Sequence, residues 1–305
     1  MMPARKSQLH YYRDIPLYIN AGDDRYTLYK PAGMTLKEMR IQEDLLPREL
    51  FLQEEDRLAG LQEAQKGFNQ TLNSYIEAEE PLKIRETLKT IVEETFQEPR
   101  SGSLEGMAQT VNILIGDLSR ERRIVEALKS LSSNDYGTAV HSINVMAFVL
   151  GFASYTGLPT EVRRELGLCA LLHDVGKTKI PQEIIQAPRK LTEEEFSLVK
   201  QHPLIGFNIL EGCKFPYRTI GVAALEHHEK LDGSGYPRAV PTISEQAKII
   251  GIIDCYEALT SSERLYRTAM APLETLKLLK NDVDAGKFSY GLFEKFAYTL
   301  VGDRP

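Results

Sequence analysis

Cysteine is scarce in this chain. Its three cysteines, Cys169, Cys213 and Cys255, form no Cys-x-x-Cys pair and are odd in number. That excludes a disulfide framework and reads as buried thiols of a reducing compartment. The segment from Met1 to His10 has no apolar signal core, and no later run approaches the roughly twenty apolar residues of a membrane span. The expectation is therefore a cytoplasmic protein without membrane insertion. An excess of positive charge is missing as well: 37 Lys and Arg stand against 43 Asp and Glu, a net charge of −6. This argues against a broad DNA-binding face and leaves room for a local basic pocket that takes a small anion. There is no fixed-period repeat. The loop Asp232-Gly233-Ser234-Gly235-Tyr236-Pro237 lacks the Gly-Lys-Ser/Thr ending of a phosphate-cradling Walker loop.

A chain of 305 residues with 42% apolar content exceeds one typical domain and can bury a sizeable core. From Ile15 to about Glu54 the pattern is short and strand-like: Ile15–Asn20, turn chemistry at Gly22–Arg25, Tyr26–Tyr29, and a further strand at Leu50–Leu52. His10 and the tyrosines Tyr11, Tyr12, Tyr18, Tyr26 and Tyr29 read as packing and surface residues. The period then becomes helical, with Leu58, Leu61, Ala64, Phe68, Leu72 and Tyr75 before Glu79-Glu80-Pro81, and Ile84, Leu88, Ile91, Val92 and Phe96 after it. Glu98–Ser103 breaks this pattern. We divide the chain into a small β-rich or α+β regulatory module (1–55), a helical connector (56–103) and a mainly helical C-terminal domain (104–305). The connector is read as a signal-transmitting element, a spacer or a homodimer seam.

Beyond Leu104 the apolar residues recur at helical spacing through Leu131, and after an interruption through the helix containing His141. Thr160 is placed as the cap of a helix ending at His173-Asp174, and Thr192 with Glu195 as a capping box. A further helix is expected from Phe215 to His228, and one capped by Ser244 that carries Asp254 among Ile249, Ile250, Ile252 and Ile253. A carboxylate in that setting is costly to bury unless paired or coordinated. Five of the six histidines, His141, His173, His202, His227 and His228, fall in this region with Asp174 and Asp254. Imidazole with carboxylate suits Zn, Fe, Mn or Ni, and a carboxylate beside histidine can bridge two ions. The pattern points to a hydrolytic metal centre. Arg264 and Arg267 have the fork geometry to grip phosphate oxygens.

From Ser133 to Gly302 these residues form ordered motifs: His141-Ser142, His173-Asp174-Val175-Gly176-Lys177, Lys190–Glu194, Lys200-Gln201-His202-Pro203, His227–Pro237 and Asp254–Ser261. In this order they resemble the HD-GYP branch of the HD metal-dependent phosphohydrolases. The resemblance implies an all-helical HD-type domain that hydrolyses cyclic di-GMP to pGpG, and with further hydrolysis to GMP, by attack of a hydroxide held between two ions. It implies His141, His173, Asp174 and Asp254 around one ion and Asp174, His202, His227 and His228 around the other, with Fe or Mn favoured over Zn or Ni. Asp174 and Lys177 become catalytic, and Lys177, Tyr236, Arg264 and Arg267 become substrate-binding. The loop carrying Tyr236 becomes the pocket rim and a contact for signalling partners. Two ions rather than three follow from Gly137, which lacks a donor side chain at the position four residues before His141. The segment Glu257–Arg267 departs from the usual pattern by one inserted residue and by Leu265 in place of proline. That departure keeps two alternatives open: a weakly active cyclic-dinucleotide receptor, and an HD hydrolase for another cyclic nucleotide.

Overall fold

The computed structural model describes residues 1–23, 25–39, 46–99, 103–115, 137–213, 215, 217–261 and 269–301. Strands β1 (Met2–Pro3), β2 (Leu17–Asn20), β3 (Tyr26–Lys30) and β4 (Phe51–Leu52) form an antiparallel sheet in the order β1-β4-β2-β3. The β2–β3 register pairs Tyr18 with Leu28 and Ile19 with Thr27. Gly22, at φ +98°, closes the turn between them by accepting the Arg25 N–H at 3.0 Å. The tyrosines pack, as expected: Tyr12 is buried, Tyr26 meets Phe51 edge-on, and Tyr11 meets Phe68 of the first long helix at 4.6 Å between ring centres.

Helices α1 (Arg57–Glu77) and α2 (Pro81–Gln97) form a hairpin whose turn falls at Glu79-Glu80-Pro81. Proline suits the first turn of α2, where its missing N–H costs no hydrogen bond. Ala64, Phe68, Leu72 and Ile76 make a buried stripe four residues apart on α1, facing Ile84, Leu88, Ile91 and Val92 of α2. Leu58, counted with that stripe in the sequence, is 47% exposed in the first turn. Helix α3 (Ser103–Leu114) follows, and the expected continuation to Leu131 lies outside the described residues.

The remaining helices are α4 (Thr138–Tyr155), α5 (Thr160–Leu172), α6 (Gln182–Ile185), α7 (Glu193–Val199), α8 (His202–Glu211), α9 (Thr219–Glu226), α10 (Glu245–Thr260), α11 (Pro272–Asp284) and α12 (Tyr290–Val301), with a 3₁₀ turn at Val175–Lys179. Helix α4 is buried nearly all round, packed by α2, α5, α10 and α12. Its 18 residues contain no Asp, Glu, Lys or Arg, so by length and composition it could cross a membrane, contrary to the expectation that no run comes near that length. Here 67% of it is buried inside the fold and it carries His141, as a core helix does. The connector does not stand apart: α1 and α2 share one apolar core with α4, α5 and α10, and α2 also lies against the Val175–Lys179 turn.

Local boundaries follow the capping chemistry with two corrections. Thr192 and Glu195 form the expected capping box, reinforced by Arg189 forking onto Glu195, and Ser244 accepts the Ala247 N–H. Thr160 does not cap α5. Pro159 occupies that position with extended backbone, and the Thr160 hydroxyl accepts from Arg163 instead. The helix expected from Phe215 begins at Thr219 and closes at Glu226, so His227 and His228 lie just past its end. Of the three cysteines, all free, Cys169 is buried, whereas Cys213 and Cys255 are half-buried rather than buried as expected.

Candidate metal centre

The donors converge because several helices end at one point. His173 follows the last residue of α5, His227 follows α9, and His202 comes three residues after the last residue of α7. A helix C-terminus leaves its last-turn carbonyls without intrahelical partners. Each of these imidazoles donates Nδ1–H to the carbonyl three residues back: His173 to Ala170 at 2.7 Å, His202 to Val199 at 2.7 Å and His227 to Ala224 at 2.8 Å. A carbonyl can only accept, so Nδ1 carries the proton and each Nε2 presents a bare lone pair.

Those lone pairs face one another and a carboxylate. Nε2 of His202 lies 3.2 Å from Nε2 of His227 and 3.1 Å from Asp174 Oδ1, and His227 Nε2 lies 3.8 Å from the same oxygen. Asp174 Oδ2 lies 3.5 Å from Nε2 of both His173 and His141. Nε2 of His173 is buried without a hydrogen-bond partner. Acceptors turned toward acceptors in a dry site are unfavourable unless a cation stands among them. The residues therefore fit a divalent metal. The donor atoms fall into sets within 4.8 Å of one another: Asp174 with His202, His227 and His228; His141 with His173 and Asp174; and His173 with His227 and Asp254. Asp174 belongs to two of these sets. Asp254, on α10, reaches further than the resemblance implies, with Oδ1 at 2.9 Å from His141 and Oδ2 at 3.8 Å from His228.

Electrostatics keep His173, His227, His228 and the two aspartates in ligating form, whereas His141 holds its proton until an ion displaces it. Burial, then the neighbouring histidines, hold His227 and His228 well below the usual imidazole range, and burial lowers His173. These rings are neutral at neutral pH. Burial works against charge on Asp174, but the Lys177 ammonium outweighs it and holds the carboxyl well below its usual range. Asp254 behaves likewise, with His141 as the main counterweight to burial. His141 itself is pushed up to about 9: burial opposes its charge, and Glu257 and Asp254 prevail.

Sequence reasoning passed over several residues that build this centre. Buried Glu257 accepts Nδ1–H of His141 at 2.6 Å and the side-chain amide of Asn144 at 2.8 Å. The available signal was its position, three residues after Asp254 on the same face of an apolar helix. Buried Glu229 accepts the backbone N–H groups of Arg238 and Val240, and Glu226 accepts the Arg238 guanidinium at 2.6 Å and the Ser244 N–H at 2.8 Å. Together they pin the loop carrying Tyr236, whose ring stacks on His228 with centres 4.6 Å apart. Lys177 places its ammonium directly on Asp174 Oδ2, and its side chain is 20% exposed. Gly137 precedes α4, and its carbonyl takes the His141 N–H at 3.1 Å. Arg264 and Arg267 lie outside the described residues.

Two glycines allow the convergence. A Cβ on Gly176 would stand 2.0 Å from the His202 carbonyl oxygen, and one on Gly251 would stand 2.5 Å from that of His227. The glycines let the 3₁₀ turn reach the start of α8, and let α10 seat Asp254 beside the α9 histidines. Gly251→Ala is expected to displace α10, destabilising the fold by about 1–3 kcal/mol through overpacking and weakening divalent-metal uptake while leaving helical content intact. Denaturant unfolding and metal titration check this. An unchanged midpoint with unchanged uptake would show that the close seating of α10 is dispensable.

The fold and this cluster define a helical domain with a histidine–aspartate metal site, and comparison with known proteins places it. The HD domain family model matches residues 116–289. The chain belongs to the HD domain family, and its ordered motifs are those of the HD-GYP branch. It is 34% identical over 194 residues to the cyclic di-GMP phosphodiesterase PA4108 of Pseudomonas aeruginosa, covering 62% of this chain and 47% of that one. It is 34% identical over 159 residues to the 3'3'-cGAMP-specific phosphodiesterase 1 of Vibrio cholerae, covering 52% and 36%. It thus spans less than half the length of either relative. Among solved structures it resembles Bd1817, an HDG"Y"P protein from Bdellovibrio bacteriovorus, with a TM-score of 0.62, 19% identity and 99% of each chain covered. That similarity extends the shared fold through the N-terminal sheet.

Proposed function

We propose that this chain is a cytoplasmic, metal-dependent cyclic di-GMP phosphodiesterase that opens the ring to linear pGpG and can continue to GMP. The observation that carries the proposal is the buried carboxylate of Asp174 set between two groups of inward-facing imidazole lone pairs. This arrangement supports two ions, with Fe or Mn favoured, held by His141, His173, Asp174 and Asp254 on one side and Asp174, His202, His227 and His228 on the other. When bound there, divalent ions supply Lewis acidity toward a phosphodiester oxygen and a nucleophile from water at neutral pH. The remaining work falls to side chains. Lys177, at the mouth of the centre, takes a non-bridging oxygen of the scissile phosphate, trading its contact with Asp174 for the substrate. Tyr236, stacked on His228, forms the wall against which the substrate lies. Arg264 and Arg267 are assigned from the sequence to the second phosphodiester, which the centre does not reach. Water adds at phosphorus, the bond to the 3′ oxygen breaks, and that oxygen leaves with a proton. The cytoplasmic placement is supported by three free cysteines.

The similarity to a 3'3'-cGAMP-specific enzyme favours a second reading in which the preferred substrate has one adenine. Product analysis of anaerobically purified protein with cyclic di-GMP and with 3'3'-cGAMP, alongside elemental analysis, separates the readings. The proposal expects two transition-metal ions per chain and linear pGpG as the first product. Faster turnover of 3'3'-cGAMP would select the second reading. Binding of dinucleotide without hydrolysis by metal-loaded protein would leave a receptor.

A further inference from the structure

His141 differs from the other buried histidines of the centre in where it sits on its helix. His173, His202 and His227 follow helix C-termini and draw their orientation from last-turn carbonyls. His141 lies in the first turn of α4. Carbonyls there are taken up by the N–H groups four residues on, so no backbone acceptor is left to set the ring. A side chain from a distant helix does it instead: Glu257 Oε2 accepts Nδ1–H at 2.6 Å, while its other oxygen is held by Asn144 at 2.8 Å. Asn144 lies three residues after His141, so α4 supplies both groups that the carboxylate binds. Glu257 is 2% exposed and lies three residues beyond Asp254, so one face of α10 supplies both a donor to the centre and the acceptor that aims another.

We propose that Glu257 is a positioning residue that commits His141 to the Nδ1-protonated tautomer, and that one ion of the pair depends on it while the other does not. The dependent ion is the one held by His141, His173, Asp174 and Asp254. The ion among Asp174, His202, His227 and His228 draws on two backbone-oriented imidazoles, His202 and His227, and makes no contact with Glu257's partner His141. The inference deepens the two-ion reading above and rests on it. Removing an outer partner of a ligating histidine typically costs about 10–100-fold in metal affinity.

The test is titration of the metal-free protein with Mn²⁺, comparing wild type, Glu257→Ala and Glu257→Gln, with thermal unfolding to verify that each variant is folded. Glu257→Ala is expected to keep one affinity and lose about 10–100-fold in the other. Glu257→Gln retains a carbonyl oxygen that can accept Nδ1–H and is expected to recover most of the loss. Long-range nitrogen–proton correlation spectra of the Zn²⁺-loaded proteins supply a second readout: His141 should report a protonated Nδ1 in wild type and Glu257→Gln, and lose that signature in Glu257→Ala. Two unchanged affinities in Glu257→Ala would overturn the inference. So would Glu257→Gln falling as far as the alanine variant, because the carboxylate would then act by its charge. Wild-type protein that takes up no Mn²⁺ would instead remove the two-ion reading itself.

Discussion

Asp174→Ala is expected to leave a folded protein that retains neither ion and hydrolyses cyclic di-GMP at least about a thousandfold more slowly, the loss of roughly 4 kcal/mol of transition-state stabilisation. The reason is geometric. One carboxylate places Oδ1 at 3.1 Å from His202 Nε2 and 3.8 Å from His227 Nε2, and Oδ2 at 3.5 Å from Nε2 of both His141 and His173. Its removal takes the shared anion from two groups of imidazoles at once. A variant lacking a ligand from one group alone, such as His202→Ala, should keep part of its metal. Elemental analysis after anaerobic reconstitution, with chromatography of the products, distinguishes these cases. Full occupancy and activity in Asp174→Ala would show that this carboxylate does not join the two sets of donors.

Lys177→Ala is expected to separate binding of metal from chemistry. Its ammonium contacts Asp174 Oδ2 and stands partly exposed at the mouth, while seven other side chains remain to hold the ions. Metal content should therefore stay near the wild-type value. Turnover should fall about 10–100-fold, which corresponds to one charge-assisted contact of roughly 1.5–3 kcal/mol to a phosphate oxygen. Steady-state kinetics on samples of matched metal content measure this. Loss of the ions in parallel with activity would assign Lys177 to stabilising Asp174 rather than to the substrate.

The connector gives these predictions a structural setting. Helix α2 shares its core with α4 and lies against the Val175–Lys179 turn that carries Lys177. The periodicity of residues 56–97 showed two amphipathic helices and where they turn, because apolar spacing records which face is buried. It carried no information on what would cover that face. The α4 helix shows the converse: His141, Ser142 and Asn144 break its apolar run in the sequence, yet all three lie on a helix that is buried nearly all round.

The residue types of the candidate metal centre were legible because the chemistry is local: a His-Asp pair at a helix end, adjacent histidines before a glycine-rich loop, and an aspartate in a run of isoleucines have no economical solvent-exposed reading. The capping box at Thr192 and the cap at Ser244 were legible for the same reason, since cap and capped amide lie three residues apart. Thr160 misled because threonine is a good cap and Pro159 hides its own extended conformation behind it. What tertiary structure alone decided is which distant groups meet. Glu257 reaches His141 across 116 residues, Asp254 lies near His228 as well as His141, and the backbones of Gly176 and Gly251 press against those of His202 and His227. Sequence periodicity fixes the direction of a side chain about its own helix axis, but the partner it finds there depends on how whole helices pack, and that is set by the summed burial of many residues rather than by any motif.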